Sequence, residues 1–497
     1  MSVAARLYLQ QFKFAALGIV LLTVATRLPL IQHPQAFDDE NAYSAVANVI
    51  VDGGRPYADA IERKPPLLFW TYAAIFKLAG KYNWPALHFV ALLWTLATMA
   101  GLYVIGRTVF DRTTGLVAAL FYSIFQPWVE PRDLTFNGEV MMNLPIVWAW
   151  AIGLRQTSSR LRPELLLSGA LLATGFLLKQ PAAIAVLPLG IYLLLPRYRA
   201  SRGLNLIASI IQGGMLTAGF VGALGVVALV LYQQNILREA IYWTITAHPV
   251  VYVFWNKGVL ATLAFLAACL PIVLGTILSL RDGRLWAGRS AECAALVGLL
   301  VASAIGTAAG ARFYFHYYIQ LIPPLALLAA PYYSALWTRR ISAPHWLLQP
   351  QITYKWLALT VVLFSLVDWV VLAFYRNPTE TGRYLREHSA PNERIFIWGN
   401  MAKLYCEAQR APASRYILTF PLTGHAFGGK IPGDDPRKRM VPGAWANLEQ
   451  DFARHPPVFM ADVSDQSVRD YLFLAKLLEE KYEPVAHTSE GIIYRIR

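Results

Sequence analysis

Long apolar runs, separated by short polar segments, follow one another along most of the chain. Most of them approach the roughly 20 residues that an α-helix needs to cross a bilayer. They predict about eleven transmembrane helices, at residues 12–31, 84–106, 113–127, 138–154, 164–178, 181–196, 205–232, 259–280, 291–310, 314–337 and 355–375. The fifth and sixth runs are nearly continuous and the sixth is short, so other divisions give a range of 11 to 13 spans. The predicted fold class is a polytopic α-helical membrane protein.

Two stretches interrupt this pattern. The first outer loop, residues 32–83, is too long for a turn between two helices. Within it, residues 39–51 have the pattern of a short amphipathic helix. Residues 65–79 are apolar but too short to cross the bilayer easily, which favours a helix that lies at the membrane surface or dips into it. We therefore predict a transmembrane domain over residues 1–375 that includes this loop.

The second stretch is the tail, residues 376–497, whose composition is that of a soluble domain. Short runs rich in β-branched and aromatic residues alternate with helical patterns there. Strands are predicted at 394–398, 416–420, 457–463 and 492–496, and helices at 401–409 and 465–481. The tail is thus predicted to be a small α/β domain outside the membrane.

Composition excludes several classes of protein. Of the 497 residues, 56% are hydrophobic and only 15% are charged. Soluble proteins are nearer a quarter charged, which argues against a disordered chain, a coiled coil and an ordinary cytosolic enzyme. The formal net charge is +14, which in a soluble protein would suggest nucleic acid as a partner. In a membrane protein the basic residues of cytoplasmic loops explain the excess, and no nucleic-acid partner is predicted.

Basic residues concentrate in alternate loops and predict the orientation. With the N-terminus inside, the predicted outer loops carry few cations. The inner loops carry many: Arg107, Arg112, Arg155, Arg160, Arg162, Arg197, Arg199, Arg202, Arg281, Arg284, Arg289, Arg339, Arg340 and Lys355. Cytoplasmic loops show this excess of lysine and arginine. An odd number of spans then places the tail on the outer face.

Three acidic residues, Asp38, Asp39 and Glu40, follow the first predicted span. Acids are scarce in this chain, and a carboxylate at the outer boundary can act as a general base that takes a proton from an attacking hydroxyl. A metal-binding neighbour is a further role for such a cluster. The alternative is a solvated helix start, because aspartate caps helices and favours their first turn.

A lysine precedes a proline pair in the sequence Glu62-Arg63-Lys64-Pro65-Pro66. Proline pairs are common at helix starts, and backbone N–H groups at a helix start attract anions. Lys64 beside such a start would make a phosphate site. The alternative is a lysine that contacts lipid headgroups.

Further charges fall at the same predicted boundary. Asp133 and Glu139 lie near the outer start of the fourth span, where an acid is costly unless it is paired or faces a cavity. Lys179 lies at the outer end of the fifth span, and Arg312 and His316 lie at the outer start of the tenth. Helix caps, a lysine that extends to the surface and a histidine packed among aromatic rings are the ordinary alternatives. A substrate with a phosphate and a lipid tail would lie where these charges converge.

The order of several short motifs resembles a known family. Asp39-Glu40 with Tyr43, and Pro56-Tyr57 before Lys64-Pro65-Pro66, resemble the first outer loop of GT-C membrane glycosyltransferases. The other matching motifs are Gly53-Gly54, Lys179-Gln180-Pro181, Arg312 with His316-Tyr317 and Pro323-Pro324, Trp398-Gly399, Leu404-Tyr405 and Ala413-Ser414-Arg415. The resemblance is to the bacterial dolichyl-phosphate-mannose protein mannosyltransferase-like group, which includes the lipid A aminoarabinose transferases.

This resemblance implies a GT-C fold and transfer of a sugar from a polyprenyl monophosphate to an acceptor on the outer face. The family pattern implies that Asp39 is the base, with Glu40 beside it; Asp38 is an extra acid that blurs this assignment. A second-loop acid would be Glu139 or Asp133. The implied phosphate ligands are Lys64, Lys179, Arg312 and His316, and Tyr43, Tyr57 and Tyr317 would line the substrate pocket.

Single displacement would invert the anomeric carbon. A two-carboxylate retaining route is the alternative, but nothing in the sequence indicates a covalent intermediate. No cofactor is expected, and a divalent cation is not favoured. The implied partners are the lipid bilayer, a polyprenyl-phosphate sugar, undecaprenyl in a bacterium, and an acceptor such as a glycolipid, lipid A, an envelope polymer or a protein. The implied location is the bacterial inner membrane, with the N-terminus in the cytoplasm and the tail in the periplasm or outside the cell.

Two other classes of function stay open on the sequence. A multi-pass transporter or a flippase for lipid-linked sugars would also have many spans and ionisable residues within them. Transporters often show two related halves with broken helices near the midplane, a pattern that this sequence does not suggest. A structural subunit without activity is the third class, and the presence of Asp39 argues against it.

Overall fold

The computed structural model describes residues 3–32, 37–128, 134–155, 161–247, 254–343, 345–374, 377–425 and 435–497. It divides into two units. Met1–His33, His88–Val227 and Val253–Ala373 form the first, here called the helical unit. Pro34–Leu87, Ala228–Tyr252 and Phe374–Arg497 form the second, here called the mixed unit. The tail therefore shares a unit with the first outer loop. The boundary predicted at residue 375, between a transmembrane domain and a domain outside the membrane, stays a prediction.

Helices make up most of the described chain. They are α1 (Val3–Gln32), α2 (Asp38–Val51), α3 (Pro66–Ala79), α4 (Trp84–Val109), α5 (Arg112–Phe125), α6 (Gly138–Gly153), α7 (Glu164–Leu178), α8 (Val186–Leu194), α9 (Pro196–Arg202), α10 (Leu206–Gln233), α11 (Leu237–Ile241), α12 (Trp255–Ala268), α13 (Leu270–Arg281), α14 (Ser290–Ala308), α15 (Ile322–Trp337), α16 (Pro350–Phe374), α17 (Glu380–His388), α18 (Lys403–Ala408), α19 (Phe420–Thr423), α20 (Ala444–Arg454) and α21 (Leu472–Lys481). Each of the eleven predicted apolar segments coincides with a helix or a pair of helices.

Six helices of the described chain are long and apolar enough to cross a membrane, and counting each bent pair as one span gives up to eight. The shorter apolar helices include α3, α5 and α7. The span count of eleven therefore stays a prediction. Residues 259–280, predicted as one straight span, form α12 and α13, which meet at an angle of 80°. Pro271 explains the break, because a proline within the first turn of α13 cannot donate the hydrogen bond that would continue α12.

Close backbone contacts hold the helical unit together. A Cβ atom on Gly169 of α7 would lie 1.9 Å from the Leu216 carbonyl oxygen of α10. A Cβ atom on Gly219 would lie 1.9 Å from the Leu166 carbonyl oxygen. Small residues at such positions let two membrane helices approach closely. Helix α15 lies at the centre of the unit, since the apolar segment Phe315–Trp337, which contains it, is buried inside the protein.

The mixed unit contains a five-stranded sheet in the order β2-β1-β3-β5-β4. The strands are β1 (Arg394–Trp398), β2 (Ala411–Pro412), β3 (Phe459–Asp462), β4 (Tyr482–His487) and β5 (Ile492–Ile496). Strand β1 is parallel to β2 and β3, with Ile395 opposite Pro412 and Phe459. Strand β5 is antiparallel to both β3 and β4. The predicted strands 394–398, 457–463 and 492–496 are confirmed.

One prediction for the tail is wrong, and another is confirmed only in part. Residues 416–420 form no strand, and a short helix, α19, begins at Phe420. The helix predicted over 465–481 begins only at Leu472. Strand β4 was not predicted, because its exposed positions lack an apolar pattern. The helices predicted at 39–51, 65–79 and 401–409 are present as α2, α3 and α18.

Candidate functional site

The acidic cluster occupies the first turn of α2. The helix begins at Asp38, whose side chain lies outside the described residues, after the extended residue Phe37. Asp39 is half-buried, whereas the Glu40 side chain is only 1% exposed. The positive end of the helix dipole favours carboxylates at these positions. The predicted helix start is therefore confirmed, but it places one of its acids in the protein interior.

Aromatic residues of α3 pack against α2 beside these acids. The Tyr43 ring meets the Phe69 ring edge-on, with centroids 6.2 Å apart, and the Tyr72 ring at 5.7 Å. Tyr72 is fully buried and its hydroxyl hydrogen-bonds the Glu40 carboxylate. Burial, and then the negative charges of Glu40 and Asp39, raise the pKa of Tyr72 well above its usual value. Tyr72 thus stays a neutral hydrogen-bond donor to Glu40, a contact that sequence reasoning missed.

Two hydrogen bonds fix the backbone of Lys64. The Tyr57 hydroxyl donates to the Lys64 carbonyl oxygen at 2.7 Å. The Lys64 N–H donates to Glu62 Oε2, also at 2.7 Å. The Lys64 Nζ atom lies 5.7 Å from the centroid of the Tyr43 ring, within the range of a cation–π contact. Glu62, which was not predicted as a site residue, is buried and accepts the Lys64 N–H.

Asp39, Glu40, Tyr43, Tyr57, Lys64 and Tyr72 are here called the loop cluster. Tertiary contacts with the tail hold the chain that carries it. The Ile61 N–H donates to the Arg415 carbonyl oxygen at 2.8 Å, and Arg415 in turn pairs with Asp451 at 2.7 Å. The Arg63 guanidinium lies 4.6 Å from the centroid of the Phe420 ring. The tail therefore supports the segment that presents Lys64.

A second group of predicted residues meets in the helical unit. Glu139 in the first turn of α6 forms an ion pair with Lys179, which directly follows α7. Glu139 is 1% exposed and Lys179 6%. The Lys179 Nζ atom also lies 5.0 Å from the centroid of the Tyr317 ring. His316 meets the same ring edge-on at 4.8 Å. Glu139, Lys179, His316 and Tyr317 are here called the bundle cluster.

Glycine makes room for this ion pair. A Cβ atom on Gly138 would lie 2.6 Å from the Lys179 Cδ atom. The helix start itself is capped by Asn137, whose side chain accepts the Val140 N–H at 3.0 Å. Lys179 can therefore pass the end of α6 and reach the carboxylate one residue further on. Neither Gly138 nor Asn137 was predicted; the Asn-x-x start before an apolar run was the available signal.

Pairing with Glu139 changes the electrostatics expected for Lys179. A buried ion pair is close to neutral, and removing one member leaves an uncompensated buried charge. The structure therefore joins two residues to which the sequence assigned separate roles, an acid and a phosphate ligand.

Two further predicted residues, Arg312 and Asp133, belong to neither cluster. Arg312 is half-buried in the turn before the 3₁₀ helix Phe315–Leu321, between two residues with positive φ, Ala311 and Phe313. Asp133 lies outside the described residues. Within the described ranges, no three or more His, Cys, Asp or Glu side chains group in a way that could hold a metal ion.

Comparison with known proteins gives the class. Residues 63–221 match the family described as dolichyl-phosphate-mannose-protein mannosyltransferase. ArnT from Cupriavidus metallidurans bound to undecaprenyl phosphate matches with a TM-score of 0.56 and 15% identity, over 98% of this chain and 97% of that chain. Apo ArnT from the same organism matches with 0.57 and 13%, over 99% and 98%. The oligosaccharyltransferase AglB from Archaeoglobus fulgidus, in complex with an inhibitory peptide and a dolichol-phosphate, matches with 0.51 and 12%, over 98% and 74%. No curated protein sequence matches the chain.

The chain is a mostly helical, multi-pass membrane protein with the GT-C fold. Residues 63–221 are similar to the mannosyltransferase family and the fold is that of the ArnT structures, in agreement with the resemblance that the order of the motifs predicted. The family match begins at Arg63, immediately before Lys64.

Proposed function

We propose that this protein is a membrane glycosyltransferase that transfers a sugar from a polyprenyl-phosphate donor to an acceptor on the outer face of the membrane. The family match supports transfer of a sugar. Two proteins of the same fold, ArnT and AglB, have structures in complex with undecaprenyl phosphate and a dolichol-phosphate. These complexes support a polyprenyl phosphate as the carrier of the sugar. The observation that carries the proposal is the loop cluster, in which the acids of α2 and the ammonium of Lys64 both lie against the ring system of Tyr43 and Tyr72.

In this proposal Asp39 is the general base. Glu40 is almost fully buried and hydrogen-bonded by Tyr72, so its carboxylate is committed to the protein. Asp39 is adjacent in the chain but half-buried, which leaves it nearer to an incoming acceptor. A carboxylate positioned in this way removes the proton from a hydroxyl as it attacks, an effect typically worth 10²–10⁴ in rate.

Lys64 binds the phosphate of the donor in this proposal. The leaving oxygen of a phosphate ester needs little protonation, but negative charge develops on the phosphate as the bond to the sugar breaks. A positioned cation stabilises that charge. Lys64 is suited to this because Tyr57 and Glu62 fix its backbone. It also lies two residues before α3, where the N–H groups that follow Pro66 favour an anion.

Lys179, Arg312 and His316 are the further proposed phosphate ligands. Lys179 would have to exchange the Glu139 carboxylate for the phosphate. Such an exchange keeps a negative partner beside the buried ammonium group, at the cost of taking that partner from the buried Glu139 carboxylate. Glu139 then acts as the partner that holds Lys179 in place before the donor binds.

The reaction is a single displacement. The acceptor oxygen attacks the anomeric carbon, the bond from that carbon to the phosphate oxygen breaks, and the hydroxyl proton passes to Asp39. Polyprenyl phosphate leaves and the anomeric configuration inverts. The proposal includes eleven spans, an N-terminus in the cytoplasm and a tail on the outer face. It does not include an obligate metal ion. The sugar and the acceptor stay open.

The test uses purified protein in lipid nanodiscs with a panel of polyprenyl-phosphate sugars and a crude membrane extract as the source of acceptor. Release of polyprenyl phosphate is followed for wild type, Asp39→Asn and Asp52→Asn. Asp52 follows the C-terminal end of the same helix and pairs with Lys81, so Asp52→Asn is a matched control. We expect release with one donor, a loss of about 10²-fold or more in Asp39→Asn, and near-normal release in Asp52→Asn.

Several results would contradict parts of the proposal. Normal turnover of Asp39→Asn would move the base to Glu40 or Asp38. Loss of turnover on treatment with a chelator would show that a metal ion is required. Failure of every donor to be hydrolysed or transferred, together with movement of a lipid-linked sugar between leaflets of protein-containing vesicles, would establish the flippase alternative instead.

A further inference from the structure

In the sheet of the mixed unit, the strands that follow β1 are added first on one side of it and then on the other. From β1 the chain passes to β2 on one side, and then to β3 on the other side of β1, with all three strands parallel. The carboxyl ends of β1 and β3 therefore lie next to each other at a topological switch point. In open α/β sheets, ligands bind in the crevice outside the strands at such points.

Two polar residues, one exposed and one half-buried, mark this edge. Strand β1 ends at Trp398 and is followed by Gly399, whose φ of 147° favours glycine, and by the exposed Asn400. Strand β3 ends opposite, at Asp462. The chain leaves the sheet at both positions, so the side chains of the following residues do not continue the ladder.

Aromatic rings cover this edge. The Tyr471 ring lies 4.8 Å from the Trp398 ring and is stacked on the Trp445 ring, with centroids 5.3 Å apart and planes at 23°. The indole nitrogens of Trp398 and Trp445 donate to the carbonyl oxygens of Gln466 and Leu422, at 2.8 and 3.1 Å. Trp398 is buried, while Trp445 and Tyr471 are half-buried. Hydrogen bonds at the two indole nitrogens thus fix these rings in place, and Trp445 and Tyr471 each keep part of their surface exposed.

Asp462 brings a carboxylate to the same edge. Its Oδ2 atom accepts the Val468 N–H at 3.0 Å. Its Oδ1 atom is buried and has no hydrogen-bond partner within the described part of the chain. Burial raises the pKa of this carboxyl above its ordinary value. The residue as a whole is half-buried.

We propose that this edge binds a saccharide, with Trp445 and Tyr471 against the C–H face of a sugar ring and Asp462 accepting hydrogen bonds from its hydroxyls. A carboxylate repels phosphate and other anions, and accepts from hydroxyl donors. Flat aromatic rings supply apolar area with little loss of conformational freedom. Together these groups match a neutral sugar ring. The site deepens the proposed function, since it would hold the sugar part of the acceptor, but binding itself does not require transfer.

The test measures saturation-transfer NMR between the full-length protein in nanodiscs and soluble probes. The probes are N,N′-diacetylchitobiose, gentiobiose and maltose, with adenosine as a comparison. Asp462→Asn and Tyr471→Ala are compared with Asp465→Asn and Leu472→Ala, which change an exposed acid and an 87% exposed apolar side chain in the same region. We expect at least one saccharide to bind, and about tenfold weaker binding in Asp462→Asn and Tyr471→Ala only.

Asp39→Asn should bind the saccharide as wild type does, even though it is expected to lose transfer. This separates failure of the saccharide site from failure of the proposed reaction. Asp462→Asn keeps an acceptor for the Val468 N–H, so it should fold, and its thermal unfolding is recorded alongside. The proposal is overturned if no saccharide binds, if binding is equal in all four variants, or if adenosine alone binds, which would make the edge a nucleoside site.

Discussion

At the scale of single residues, the structure distinguishes acids that the sequence treats alike. Glu139 is buried in an ion pair with Lys179, and Glu40 is buried beneath Tyr72. Asp39 keeps part of its surface exposed. Burial of a charge is tolerated where a partner is present and is otherwise costly. The accessible acid is therefore the better base, and the paired acid is the better structural partner.

Asp462 illustrates a residue that is kept at a cost in stability. Its raised pKa means that the folded state favours the neutral carboxyl, so ionisation at neutral pH opposes folding. Asp462→Asn removes that charge. We expect the variant to unfold at a higher temperature than wild type at pH 7. The difference should shrink as the pH falls through the folded pKa, and should vanish below the ordinary value of 3.8.

Thermal unfolding in nanodiscs between pH 3 and pH 7 measures this, with Asp465→Asn as the exposed control. A difference that grows as the pH falls would show that the ionised carboxylate stabilises the fold, contrary to the sign argued here.

At the scale of elements, close approach of backbones decides how the membrane helices pack. Helices α7 and α10 cross where Gly169 and Gly219 face carbonyl oxygens of the opposite helix. Without hydrophobic attraction between helices inside a bilayer, contact of this kind provides dispersion energy that larger residues would prevent. Two glycines that would weaken a soluble helix therefore strengthen this pair.

Gly169→Ala should force the two helices apart. The new Cβ atom would lie 1.9 Å from the Leu216 carbonyl oxygen and 2.7 Å from the Phe220 nitrogen, and backbone atoms cannot move aside as a side chain would. We expect a loss of about 1–3 kcal/mol in the free energy of unfolding, measured by chemical denaturation in detergent.

Gly213→Ala is the matched control, because nothing lies within 4 Å of a Cβ atom at that position of α10. Alanine is a better helix former than glycine, so this variant should be as stable as wild type or slightly more stable. Equal effects of the two substitutions would contradict the crossing described here.

At the scale of the whole molecule, the distribution of basic residues predicts the orientation. The predicted inner loops carry most of the arginines, which predicts that the tail lies on the outer face. Glu483 in the tail and Arg197 in a predicted inner loop are both exposed, so each can report its side of the membrane.

Single cysteines at these positions, in a variant whose three native cysteines are replaced by alanine, test the prediction. In sealed right-side-out vesicles, a membrane-impermeant maleimide should label Glu483→Cys and not Arg197→Cys. Both should be labelled after detergent is added. Labelling of Arg197→Cys alone before detergent would reverse the predicted orientation.

Particular elements show where sequence patterns predict structure and where they do not. The apolar periodicity predicted α2 and α3 almost to the residue, because local burial and proline at a helix start act within a few residues. The segment 416–420 has strand-forming residues, yet side chains of Ser414 and Asn400 accept its backbone N–H groups in place of a neighbouring strand. Strand β4 was missed because it forms the edge of the sheet, where polar residues and Pro484 are tolerated.

The sequence by itself determined the membrane class, the helices, the GT-C resemblance and the list of charged candidates. These follow from composition, period and motif order, which act locally or need only be counted. Tertiary structure decided the partners: Tyr72 for Glu40, Glu139 for Lys179, and Trp398 for Tyr471. Such pairs join segments separated by tens of residues, so the roles of their members depend on packing that no local pattern contains.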